Sequence, residues 1–209
     1  MSILKERKKN AWKNVKKNGL MSAAVRVLSR EGAERLTMDD VAMEAGVAKG
    51  TLYVYFKNKQ ELLKELVETA TAPMVEELTR ILVSNDSAKA RLCSMTQRHL
   101  SYFDEHREFF RIFVHDRMTS LQRLKRYRNN RYQTFVNAIA KVLQTGIEQG
   151  EFRSLDPYKV ASMWTESNIA MIHLRLLSEN PGPSENDAAL ICDVLLRGLS
   201  NESAHQEKQ

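Results

Sequence analysis

Between Thr37 and Lys59 the chain collects residue types that suit contact with a phosphate backbone and with base edges. Lys49 supplies a cation, and Gly50 a point where another backbone can come close. Thr51 offers a hydroxyl that can bond a base edge or touch a thymine methyl. Tyr53 and Tyr55 offer phenols that can bond phosphates or stack on sugars. For this to be chemistry rather than scatter, short elements must hold these groups on one open face. Thr37 followed by Asp40 is a capping-box pattern, and Asp39 and Asp40 put negative charge at the positive end of the helix that follows. Met38, Val41, Ala42 and Ala45 then share a helical face, and Gly46 suits the left-handed residue that ends a helix. Val47 is the expected apolar plug of the turn. A second helix is expected from about Ala48 to Phe56, with Leu52 and Phe56 turned inward. Two short helices joined by a tight turn are the shape that places a helix in a DNA major groove, although an ordinary helical hairpin has the same outline.

The spelling of the segment is more specific than its shape. The run Thr-Met-Asp-Asp-Val-Ala-x-x-Ala-Gly-Val-x-Lys-Gly-Thr-Leu-Tyr-x-Tyr-Phe-x-x-Lys closely resembles the DNA-binding signature of the TetR family of bacterial transcription regulators. Ala23, Ala24, Leu28 and the Glu31-Gly32 helix end before it fit the resemblance, as does Lys59-Gln60-Glu61-Leu62-Leu63 after it. The match covers about residues 18–68; beyond that, only length and helical layout agree. The resemblance implies a phosphate contact for Thr37, the opening of the recognition helix for Ala48, Lys49, Gly50 and Thr51, and its outward positions for Tyr53 and Tyr55. It implies a grip on the backbone for Lys59. Ala48 stands where a hydroxyl residue is frequent and Val54 where a second Tyr is frequent, so two hydrogen-bonding groups are missing and operator preference is affected.

Charge points the same way. Residues 1–60 hold 13 Lys and Arg against 6 Asp and Glu, a net of +7, while the whole chain is +6. Lys5, Arg7, Lys8, Lys9, Lys13, Lys16 and Lys17 face only Glu6 in the first 17 residues. Such a run is either a solvated tail or early helical turn, or a further source of phosphate or minor-groove contacts. Trp12 could anchor it.

The 209 residues include only 8 Gly and 4 Pro, and no strand-like alternation stands out. The chain therefore reads as all-α, long enough for a small DNA-binding domain and one larger domain, and the resemblance implies three helices in the first. The expected divisions are a basic extension over 1–17, the DNA-binding domain over 18–65, an effector and dimerisation domain over 66–200, and a polar tail over 201–209. No apolar run is long enough to span a membrane, and the charged N-terminus does not read as a signal peptide, so a cytoplasmic protein is expected. Cys93 and Cys192 lack metal or redox spacing and are expected as reduced core thiols. His99, His106, His115 and His173 are scattered, and no nucleophile–base pair or phosphate loop is recognisable. No enzymatic activity, cofactor or metal is expected.

Helices are further expected over about Asn58–Leu82, bent or broken at Pro73, then to about Phe103, over Glu105–His115, Ser120–Gln149, Pro157–Ser178 and Glu185–Leu199. On the helix from Pro157, Val160, Met163, Trp164, Met171 and Leu174 are read as one face, and Ile169, Ile172 and Leu176 as the opposite one. A helix apolar on two sides is buried on two sides. Either it is central to one core, or the second face meets another copy together with Leu190, Ile191, Val194, Leu195 and Leu199. The resemblance implies the latter: a homodimer on a double-stranded operator, with a small-molecule effector bound among the helices.

For the effector, the basic run Arg123, Lys125, Arg126, Arg128 and Arg131 is the one clue. Arg128 falls on the stripe of Leu121, Leu124, Phe135, Ile139 and Val142, where a cation needs a partner. That partner is a structural carboxylate (Asp104, Glu105 or Asp116) or the acid or phosphate of a ligand. Phe103, Phe109, Phe110, Phe113, Met118, Tyr132, Met163 and Trp164 form either plain core or an apolar lining, and a fatty acid or acyl-thioester would suit Phe103, Phe110, Arg128, Tyr132 and Trp164 together. The expected function is a dimeric repressor released by its effector. An activator or architectural DNA-binding protein without an effector shares every DNA feature.

Overall fold

The computed structural model describes residues 2–115 and 132–200. Every regular element among them is helical, as the composition required. These residues form two compact units, which part between Ala72 and Pro73 rather than at residue 65.

In the first unit, α1 (Ser2–Arg35) already includes most of the basic run expected as an extension. Nothing in the sequence stops a helix there, since the first glycine is Gly19 and the first proline Pro73. Leu20, Ala23, Ala24, Val27 and Leu28 recur at three- and four-residue spacing and are all buried. Gly32 interrupts the helix at a φ of 78°, a conformation that L side chains resist. One more turn to Arg35 leads into α2 (Met38–Glu44), α3 (Lys49–Tyr55) and α4 (Lys59–Leu82). Pro73 lies inside α4, which continues through it as one helix. The Asn58 side chain accepts the Glu61 amide at 2.9 Å and so caps the start of α4.

In the second unit, α5 (Ala88–Glu105) and α6 (Arg107–His115) precede α7 (Gln133–Glu148), α8 (Pro157–Leu177) and α9 (Ser184–Leu199). Most of the helix expected from Ser120, with the basic run from Arg123 to Arg131, lies outside the described residues, as does the tail from residue 201. Helix α5 packs against α7, α8 and α9, and α8 packs against α6, α7 and α9. The N-terminus of α5 is doubly served: Ser87 accepts the Ala90 amide at 3.2 Å, and Glu151 accepts those of Ala88 and Lys89 at 3.0 and 3.2 Å. A Cβ at Gly146 would stand 2.4 Å from the Phe152 ring and 2.8 Å from the Ala88 methyl, so α7 needs glycine there for steric reasons.

Helix α8 is apolar on two sides, but its buried side is not the one expected. Ala161, Trp164, Thr165, Asn168, Ile172, Arg175 and Leu176 are buried within the chain. Met163, Leu174 and Leu177 are open, as are Leu190 and Val194 of α9. Ile172, Leu176 and Ile191, expected at a dimer interface, are therefore already covered, while Ile169 and Leu195 are half-buried. At about 100° per residue, Ile172 and Leu176 turn back to the side of Trp164, and Leu174 lies with Met163.

Candidate nucleic-acid interface

Helix α2 starts as its sequence dictates. Thr37 accepts the Asp40 amide at 3.2 Å while the Asp40 carboxylate accepts the Thr37 amide at 3.3 Å, closing the capping box. The Thr37 hydroxyl also donates to Asp40 at 2.5 Å, so its proton is already engaged. Helix α2 ends at Ala45, with Gly46 at a φ of 65° and the Val47 amide returning to the Ala42 carbonyl at 3.0 Å. Val47 is half-buried in this turn.

A seven-residue helix is too short to hold itself, so α3 depends on its inward side chains. Leu52 and Phe56 supply them, at 0% and 1% exposure, each burial contributing about 1.5–3 kcal/mol. The outward set follows from the same register. Ala48, Lys49, Gly50, Tyr53 and Val54 are exposed, and Thr51 and Tyr55 are half-buried. A Cβ added at Gly50 would meet no heavy atom within 4 Å, and its φ is not in the left-handed region. Nothing in the fold requires glycine at this position. Val54, 74% exposed, is the most open apolar side chain of α3.

The cations around α3 are partly engaged. Lys49 pairs with Asp39 at 2.6 Å, and that carboxylate holds its ammonium above the usual lysine value. Lys59 donates to the Glu34 carbonyl at 2.7 Å and ties the start of α4 to the end of α1. Arg26 and Arg30 reach Glu44 at 2.6 and 3.3 Å and link α1 to α2. Lys17 pairs with Glu65 at 2.6 Å, 5.8 Å from the Phe56 ring centroid.

The residues expected around an effector are distributed unevenly. Phe103 and Phe110 meet at 4.4 Å between ring centroids, in a cluster with Tyr102, Phe109 and His99. Trp164 is fully buried and donates its indole N–H to Thr96 at 2.8 Å, which makes it a core residue between α5 and α8. Tyr132 is half-buried at the edge of the described residues, and Arg128 lies outside them. Asp104, one of the acids expected for Arg128, bonds Arg175, at 3.1 Å from its Nε. Arg175 is 3% exposed and also bonds Asp187 and the Pro181 and Gly182 carbonyls, fastening α5, α8 and α9 together. Glu105 pairs with Arg98 at 2.9 Å. Sequence reasoning missed Arg175, although the signal was present: a cation between Ile172 and Leu176 needs a partner. Cys93 and Cys192, isolated in sequence, are both free, the first half-buried on α5 and the second buried on α9.

Among the described residues no cluster of His, Cys, Asp and Glu could hold a metal, and no helix is long and apolar enough to cross a membrane.

Comparison with known proteins agrees with this geometry. Residues 20–66 match the family model for bacterial regulatory proteins of the tetR family, and residues 85–172 match that for a tetracyclin repressor-like C-terminal domain. The chain is 30% identical over 165 residues to the uncharacterized HTH-type transcriptional regulator YfiR of Bacillus subtilis, covering 73% of this chain and 76% of that one. It is 28% identical over 135 residues to the fatty acid metabolism regulator protein of the same species, covering 64% and 69%. The structure of the regulator FadR from Bacillus subtilis in complex with stearoyl-CoA superposes with a TM-score of 0.73 at 22% identity, over 87% of this chain and 98% of that one.

Proposed function

The chain belongs to the TetR family of bacterial transcription regulators, and on that premise we propose that it is a dimeric repressor that leaves a near-palindromic operator when an apolar effector binds. The observation that carries the DNA half is α3. Leu52 and, at its C-cap, Phe56 are buried, and the rest of its surface is a cation, a glycine, a hydroxyl, two phenols and an open valine. In this reading Lys49 exchanges Asp39 for a phosphate, Gly50 admits the DNA backbone, and Thr51, Val54 and Tyr53 face base edges. Thr37, Ala48, Tyr55 and Lys59 frame the contact, with the Thr37 hydroxyl turning from Asp40 to a phosphate. The excess positive charge of residues 1–60 supplies the non-specific part of the affinity.

Two copies join through α8 and α9. The open stripe of Met163, Leu174, Leu177, Leu190 and Val194 forms the contact, with Ile169 and Leu195 at its margin. A dimer presents two recognition helices to two half-sites.

The effector is an acyl-thioester or fatty acid bound in the second unit near Phe103, Phe110 and Tyr132. Support comes from the aromatic cluster and from two similar proteins, one named as a fatty acid metabolism regulator and one bound to stearoyl-CoA. Binding would shift α4 and spread the recognition helices. The test is operator occupancy, followed by fluorescence anisotropy while palmitoyl-CoA is titrated in. Release at a stoichiometric step supports the reading. Occupancy unaffected by palmitoyl-CoA and by palmitate would favour the architectural DNA binder.

A further inference from the structure

The most open apolar side chain of α3 stands at the centre of its outward face. Leu52, within the helix, and Phe56, at its C-cap, are the buried pair. Val54 is two residues from each, so at about 100° per residue it lies about 160° from both. It is 74% exposed, against 42% for Tyr53, while Thr51 and Tyr55 are half-buried. Gly50 precedes Val54 by one turn on the same face. Helical side chains lean toward the N-terminus, so Val54 leans over a residue that has no side chain. A Cβ added at Gly50 would meet no heavy atom within 4 Å, which leaves that ground open.

The fold gains little from a valine here. A β-branched residue is a weaker helix former than alanine, and α3 has only seven residues. An exposed side chain recovers little burial within the chain to offset that. Toward DNA, by contrast, the chemistry of valine is narrow. A helix in the major groove turns the centre of its outward face to the groove floor. That floor carries hydrogen-bonding groups on every base pair and one apolar group, the C5-methyl of thymine. Valine has no donor or acceptor. Against the edges of guanine, adenine or cytosine it displaces water and returns no hydrogen bond, which costs affinity. Against thymine it covers methyl with methyl.

We infer that Val54, above Gly50, selects a thymine at one position of each operator half-site by contact with its C5-methyl group. This rests on the reading of α3 as the recognition helix and names the base that one of its side chains reads. Thr51 also carries a methyl group, but its hydroxyl lets it accept other bases.

The test starts from the preferred sequence that the full chain selects from a random DNA pool. Operators are then made in which each symmetric pair of thymines is replaced in turn by deoxyuridine, which lacks only the C5-methyl. Affinity is measured by fluorescence anisotropy at one salt concentration for the unsubstituted chain, Val54→Ala and Thr51→Ser, each checked for helix content by circular dichroism. For one pair, uracil weakens binding by the unsubstituted chain roughly tenfold, the loss of one methyl contact in each half-site. Thr51→Ser, which removes only the Thr51 methyl, keeps that effect. In Val54→Ala the same replacement changes affinity by less than about twofold. A preferred sequence in which no uracil matters overturns the inference. So does a methyl effect that is undiminished in Val54→Ala, or one that is lost in Thr51→Ser instead. The first of these comparisons changes only the DNA and needs no variant to fold. Recovery of no preferred sequence overturns the recognition-helix reading and this inference with it, and is seen before any thymine is replaced.

Discussion

Gly50 separates what the fold needs from what DNA would need. No neighbour crowds it and its backbone is ordinary, so Gly50→Ala should raise helix stability by about 0.5–1 kcal/mol. If the position is open because a DNA backbone comes close, the same change weakens operator binding. A higher Tm with lower affinity by anisotropy is the expected pair of results; unchanged affinity would remove Gly50 from the interface. Lys49→Ala should weaken binding to all sequences alike and reduce the log–log salt slope by about 0.9, the value of one phosphate contact. His99 predicts a pH effect on stability. Its folded pKa of about 4 lies below the unfolded 6.5, so the unfolded state binds the extra proton as pH falls between these values. Stability present above pH 6.5 is therefore lost on acidification, by about 2 kcal/mol at pH 5. Denaturant midpoints at pH 7.5 and 5 should differ less in His99→Phe. The sequence showed the outward residues of α3 because their exposure follows from a local register. It did not show that His99 is buried beside the Phe103 and Phe135 rings, because such an environment is defined by what surrounds a group in space.

The helices differ in how their stability is supplied, and substitutions should reflect this. Helix α2 is capped by its own residues, Thr37 and Asp40, three apart in the chain, and was legible for that reason. Helix α5 is capped partly by Glu151, 63 residues away in sequence from Ala88, and no local pattern reveals that bond. Gly146→Ala should cost about 1–3 kcal/mol through overpacking against Phe152 and Ala88, read as a lower denaturant midpoint. Arg175→Met should cost about 3 kcal/mol, because Asp104 and Asp187 lose their cation together with two carbonyl contacts. A change under 1 kcal/mol would show that water replaces the guanidinium. The faces of α8 were misread for a related reason. Its apolar residues occur all round the helix, and only the packing of α5, α6, α7 and α9 against it decides which are inside.

In the whole molecule, a cationic unit proposed to read DNA is followed by a helical unit proposed to pair and to bind an effector. Charge asymmetry and the signature over residues 37–59 made the first unit readable, since both are properties of consecutive residues. The proposed pairing surface became definable only when burial separated Leu174 and Val194 from Ile172 and Ile191. Leu174→Glu with Val194→Glu should leave a folded monomer by sedimentation and abolish tight binding to a two-half-site operator. The most direct test of the central claim is selection of binding sites from a random DNA pool by the full chain, with occupancy of the recovered sites followed at two salt concentrations. A near-palindromic consensus, bound by two copies with a steep salt dependence and bound more weakly by Lys49→Ala and Gly50→Ala, is the predicted result. Recovery of no preferred sequence, or of one indifferent to both substitutions, would contradict the assignment of α3 as the reading helix.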